Sequence, residues 1–98
     1  MAYDVYDRLN ALTMGQCAWV DYADTLWFES TQEPNILLID ALKTAQARGI
    51  RIFLWTHEGF KTALERCKVM KRYGLIFDDV FCSVQKASLI IDNLAVSP

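Results

Sequence analysis

The chain lacks most of the features that place a protein quickly. No apolar run approaches the roughly 18 residues that span a bilayer, and the opening Met-Ala-Tyr-Asp-Val-Tyr-Asp carries acid where a secretory leader needs a basic start. A soluble, cytoplasmic protein is the expectation. The three cysteines, Cys17, Cys67 and Cys82, are odd in number and show no Cys-x-x-Cys spacing. Reduced, mostly buried thiols are therefore expected rather than disulfides or zinc ligands. No Gly-x-Gly-x-x-Gly follows an apolar run and no Gly-Lys-Ser/Thr loop occurs, so dinucleotide and nucleoside-triphosphate cradles lack their phosphate-binding backbone. There is one histidine, His57, and no Ser-His-Asp or Cys-His arrangement can be argued from it. Basic residues are scarce early: through residue 40, Asp4, Asp7, Asp21, Asp24, Glu29, Glu33 and Asp40 face Arg8 alone. A net charge of −2 removes any general pull toward nucleic acid or anionic lipid.

What the chain does have is core. Its 98 residues are 53% apolar and 22% charged, enough to bury a modest interior and offset the ordering entropy of one compact domain over residues 1–98. No repeat, linker or biased segment divides it. The cations gather late, at Lys61, Arg66, Lys68, Lys71 and Arg72. On a helix these form a solvated face, with a surface for an anionic partner as the alternative.

Periodicity orders the elements. Apolar residues from Tyr3 to Met14 recur at helical spacing until Gly15, which gives an N-terminal helix within residues 1–15. Cys17-Ala-Trp-Val20 is a short buried strand running directly into Asp21, and the polar stretch from Asp24 to Pro34 reads as a loop. Pro34 suits a first helical turn, Leu38, Leu42 and Ala45 form one stripe over residues 36–47, and Gly49 supplies the stop. Residues 50–55 read as a second strand. Phe60, Ala63, Leu64, Cys67 and Met70 then repeat as a helix closed by Gly74, and residues 80–82 and 89–91 are two further strands. This alternation implies an α/β layer fold with a short, mostly parallel sheet and right-handed crossovers.

Ligands of such sheets bind beyond the carboxyl ends of the strands, which points to Asp21, Thr56, the loop after Cys82, and Asp92 with Asn93. Carboxylates at two strand ends, Asp21 and Asp92, make a hard oxygen site suited to Mg²⁺. The Thr56 hydroxyl and Lys86 ammonium suit phosphate oxygens. Each residue alone has a structural alternative, a loop bracket for Asp21, a helix cap for Thr56, a turn for Asp92-Asn93.

The order of these residues resembles the haloacid dehalogenase-like superfamily over residues 17 to 96. Trp19-Val-Asp-Tyr-Ala-Asp-Thr-Leu-Trp27 is similar to the first motif, here in the degenerate form Asp-x-Ala-x-Thr. Residues 42–56, ending Ile-Phe-Leu-Trp-Thr56, resemble the approach to the second-motif threonine. Tyr73-Gly-Leu-Ile-Phe-Asp-Asp-Val-Phe81 with Lys86 is similar to the third, and Leu89-Ile-Ile-Asp-Asn93 to the fourth. The resemblance implies a three-layer, Rossmannoid α/β sandwich and Mg²⁺-dependent phosphoryl transfer to Asp21, with Asp92, Asn93 and the Ala23 carbonyl as further metal ligands. Thr56, Lys86 and the neighbouring His57 would face phosphate.

The chief departure is Ala23, which stands where the family's acid/base aspartate belongs; phosphonoacetaldehyde hydrolases of the superfamily also have alanine there but rely on a cap lysine. Asp24 is one residue displaced. Both cap positions are too short to hold a cap, and the chain ends soon after the fourth motif, which is expected to leave an exposed sheet edge or helix face. Two functions fit: a capless phosphohydrolase acting on a phosphorylated substrate, and an inactive pseudoenzyme that binds a protein partner. The open edge and three tryptophans suggest a homodimer.

Overall fold

The computed structural model describes residues 5–82, 89–91 and 96–97. The described helices are α1 (Val5–Asn10), α2 (Ile36–Ala47) and α3 (Phe60–Lys71), and the strands are β1 (Cys17–Val20), β2 (Trp27–Phe28), β3 (Glu33–Pro34), β4 (Arg51–Trp55), β5 (Asp79–Phe81), β6 (Leu89–Ile91) and β7 (Val96–Ser97). Five strands form one sheet in the order β5-β4-β1-β6-β7. The first four run parallel, with Val20 opposite Leu54 on one side and Ile91 on the other. β7 closes the β6 side antiparallel.

Side chains alternate across a strand, so each strand serves two surfaces. Ala18, Val20, Ile52 and Leu54 are fully buried and meet Leu38, Ile39, Leu42 and Ala45 of α2, Ala63 and Met70 of α3, and Leu9 of α1. Each large aliphatic buried here contributes roughly 1.5–3 kcal/mol. The crossovers β1-α2-β4 and β4-α3-β5 step the same way along the sheet, so right-handedness sets α2 and α3 on one face. The opposite face is aromatic. Trp19 stacks on Phe81 at 4.8 Å, Phe53 meets both edge-on, and the Arg51 guanidinium lies 5.8 Å from the Phe53 ring.

Local chemistry explains where the elements begin and end. The Asn35 carboxamide oxygen accepts from the Leu38 N–H, capping α2, while its amide donates to the Thr25 carbonyl. Gly49, with φ of +93°, turns the chain from α2 toward β4. At the amino edge Asp78 accepts from the Ile52 N–H at 2.7 Å, joining the approach to β5 to β4.

Several expectations are corrected. Of the expected three-layer sandwich, the described residues show a mostly parallel sheet with helices on one face. Residues 24–34 are no plain loop: β2 and β3 pair as a hairpin, and Pro34 lies in β3 opposite Trp27 instead of in the first turn of α2. β7 lies against β6, so the outer strands of the sheet are β5 and β7 rather than the fourth-motif strand itself. Phe60 and Leu64 are exposed although their spacing suggested core, because α3 turns only the narrow stripe of Ala63 and Met70 to the sheet. The cysteines form no disulfide, as expected, but Cys17 and Cys67 are only half-buried and Cys82 is exposed.

Candidate functional site

The strand order fixes where a site can form. From β1 the chain crosses to β4 and then β5, and later returns to β6 on the other flank of β1. The connection that leaves β1 thus runs to one flank, while the last parallel strand, entered from β5, lies on the other, so the strand order reverses about β1. In open α/β sheets this switch point opens a crevice beyond the carboxyl ends of the two central strands. Here those ends are Val20 and Ile91, paired in register, and the next residue after Val20 is Asp21.

Asp21 is half-buried at the end of β1. The chain beyond it is wound tightly: the Tyr22 carbonyl accepts from the N–H groups of Thr25, Leu26 and Trp27 at 3.2, 2.9 and 3.1 Å. Asp24 then adopts a left-handed conformation, φ +54°, which Asp tolerates better than most residues. Its carboxylate accepts from the Glu29 N–H at 3.0 Å, and its own N–H donates to the Trp27 carbonyl. Asp24 is therefore committed to bracing the hairpin. The Thr25 hydroxyl is buried in this turn with no partner among the described residues.

Thr56 follows β4 and is buried. Its N–H donates to the Phe81 carbonyl, joining the ends of β4 and β5. Its hydroxyl oxygen accepts from the Glu58 N–H at 2.9 Å, while its proton faces Glu58 Oε1 at a weak 3.5 Å. The hydroxyl thus shapes the turn into α3 and keeps its proton loosely engaged. His57 is exposed, its ring edge-on to Trp55 at 5.1 Å.

A cluster the sequence did not announce lies beside these residues. Arg66 of α3 sits over the Tyr22 ring, 4.7 Å from its centroid, and pairs with Glu58 at 3.4 Å. Burial works against the Arg66 charge, but hydrogen bonding and attraction to Glu58 outweigh it, so its pKa lies above the ordinary value. Burial likewise pushes the Tyr22 phenol up against the opposing pull of Arg66. Unlike the rest of the late cationic cluster, Arg66 is not on a solvated face but half-buried, holding α3 against the turn after β1. Lys61, Lys68, Lys71 and Arg72 are exposed, as expected. Glu58 precedes α3, so no helical spacing in the sequence pairs it with Arg66.

Asp21, Ala23, Thr56 and His57 are therefore brought to the carboxyl edge of the sheet, whereas Lys86, Asp92 and Asn93 lie outside the described residues. Among the described residues no group of three His, Cys, Asp or Glu side chains is placed to hold a metal. The described donors suited to a hard cation are the Asp21 carboxylate and the Ala23 carbonyl. No helix of the described residues is long and apolar enough to cross a membrane. No family model, curated protein or solved structure matches the chain.

Proposed function

We propose that the chain is a minimal, capless haloacid dehalogenase-like phosphohydrolase domain in which Asp21 accepts a phosphoryl group. The observation that carries this reading is an acid at the topological switch point, with a threonine at the end of the adjacent strand. In the proposed reaction an Asp21 oxygen bonds to phosphorus as the ester P–O bond breaks and its electron pair leaves with the alcohol oxygen. Water then cleaves the aspartyl phosphate, releasing inorganic phosphate and restoring Asp21. Mg²⁺, held by Asp21, the Ala23 carbonyl, Asp92 and Asn93, would supply charge neutralisation. Thr56, His57 and Lys86 would orient the phosphate.

Because Ala23 carries no proton, the leaving oxygen must take its proton from water. A missing acid/base typically removes about 10²- to 10⁴-fold of rate, so turnover is slow and favours phosphates whose leaving groups are stable anions. A second reading, an inactive module that binds a protein partner, is favoured by the commitment of Asp24 to the Glu29 N–H, which leaves the Ala23 vacancy unfilled.

Phosphate release from a panel of aryl and alkyl phosphomonoesters, with and without Mg²⁺, separates the two. Turnover of aryl esters that needs Mg²⁺ and disappears in Asp21→Asn supports the enzyme. Silence in the native chain with turnover in Ala23→Asp supports the inactive module, and silence in both removes the phosphoryl-transfer reading altogether.

A further inference from the structure

Two surfaces lie outside the proposed site. One is an open groove of about 290 Å³ along the closing turns of α3 and the segment after it, floored by Leu64, Cys67, Ile76 and Phe77 and rimmed by Lys68 and Lys71. Leu64 and Ile76 are 44% and 61% exposed. The other is the opening turn of α2, where Ile36 and Leu37 are 47% and 75% exposed. Asp40 shares their helical face, and exposed Glu33 stands just before the helix. Large apolar side chains grouped in this way on a small domain mark contact surfaces.

The two surfaces are opposite in charge, and each offers what the other lacks: an apolar groove with a cationic rim, and an apolar projection with carboxylates. Groove against groove would set Lys68 and Lys71 against their own copies, and projection against projection would oppose carboxylates. Their positions also differ. α2 joins two parallel strands and so runs against them, which starts it at the carboxyl edge of the sheet. The groove lies where α3 ends and the chain approaches β5, at the amino edge.

We propose that Ile36 and Leu37 of one copy seat in the groove of a second copy, with Asp40 and Glu33 facing Lys68 and Lys71. Because projection and groove lie at opposite ends of the molecule, copies join head to tail. Such a heterologous contact extends into short chains instead of closing as a symmetric pair.

Sedimentation of the native chain from micromolar to near-millimolar concentration tests this. The average mass should climb past that of a dimer at low salt and fall back as salt is added. Lys68→Glu/Lys71→Glu blocks the groove and Leu37→Lys blocks the projection; these positions are exposed, and circular dichroism confirms that each variant is folded. Each variant alone should stay monomeric. A mixture of the two retains one intact groove and one intact projection, so it should stop at a 1:1 dimer, with Cys67 of the Leu37→Lys copy protected from a thiol reagent. A native chain that is monomeric throughout, an assembly that persists in either variant, or a mixture that stays monomeric would overturn the proposal. Asp21→Asn should leave the association unchanged, which keeps this outcome separate from that of the phosphoryl-transfer reading.

Discussion

The backbone around Ala23 is well held, since the turn there is fixed by three N–H groups on the Tyr22 carbonyl. Ala23→Asp should therefore introduce a carboxyl without refolding the turn. Under the proposed mechanism it raises alkyl-ester turnover by about 10²- to 10⁴-fold and aryl-ester turnover by less, because a good leaving group needs no proton. Equal gains for both ester classes would show that the new carboxyl does not act as an acid. Two residues on, the Thr25 hydroxyl is buried with no partner among the described residues. Leaving a buried polar group unsatisfied costs about 1–3 kcal/mol, so Thr25→Val, which keeps the β-branched shape, should hold or raise the unfolding free energy. A clear drop in denaturant midpoint would mean that the hydroxyl is satisfied after all.

Among the elements, α2 was the most legible because its signals are local: an apolar stripe at 38, 42 and 45, a glycine stop at 49, and helix formers between. Its start was less so. Pro34 looked like the first helical residue, yet the determinant is Asn35, whose oxygen caps α2 while its amide holds the hairpin through Thr25. Asn35→Ala should cost about 1–2 kcal/mol, or several degrees of melting temperature for a chain of this size. Asn35→Asp should recover the cap but not the Thr25 bond, and thermal unfolding of the pair apportions the two. The β2-β3 hairpin was hidden because its strands are two residues each, too short for any alternation, and because Asp24 and the Tyr22 carbonyl define it from outside. α3 misled in the other direction. Its spacing is helical throughout, but spacing cannot tell which part of an apolar stripe meets the sheet, and a helix over a three-residue strand buries only Ala63 and Met70. In the candidate site, Asp21 and Thr56 could be read from strand ends alone. The Glu58-Arg66-Tyr22 contact could not, since it depends on how α3 lies across the turn after β1.

The whole molecule joins an acidic first half to a more basic second half through a single sheet, and its pI of about 5.2 leaves it increasingly anionic as pH rises. Two groups add to the strain of alkaline conditions. Burial raises the Cys67 thiol above its ordinary value of 9.0, and burial raises the Tyr22 phenol above 10.0 despite the opposing charge of Arg66. For both, the unfolded chain gives up its proton at a lower pH than the folded chain. Between the unfolded and folded values the folded state binds more protons, so stability must fall as pH rises. Their contribution is intact below pH 9, starts to decline as Cys67 of the unfolded chain ionises, and declines further above pH 10 as Tyr22 follows. Urea unfolding at a series of pH values from 7 to 11 should show this decline. Tyr22→Phe keeps a ring for Arg66 and Trp27 but removes the phenol, so it should flatten the portion above pH 10, while Cys67→Ala should flatten the portion just above pH 9. If both variants lose stability as steeply as the native chain, the decline belongs to the growing net charge of the molecule and not to these two buried protons.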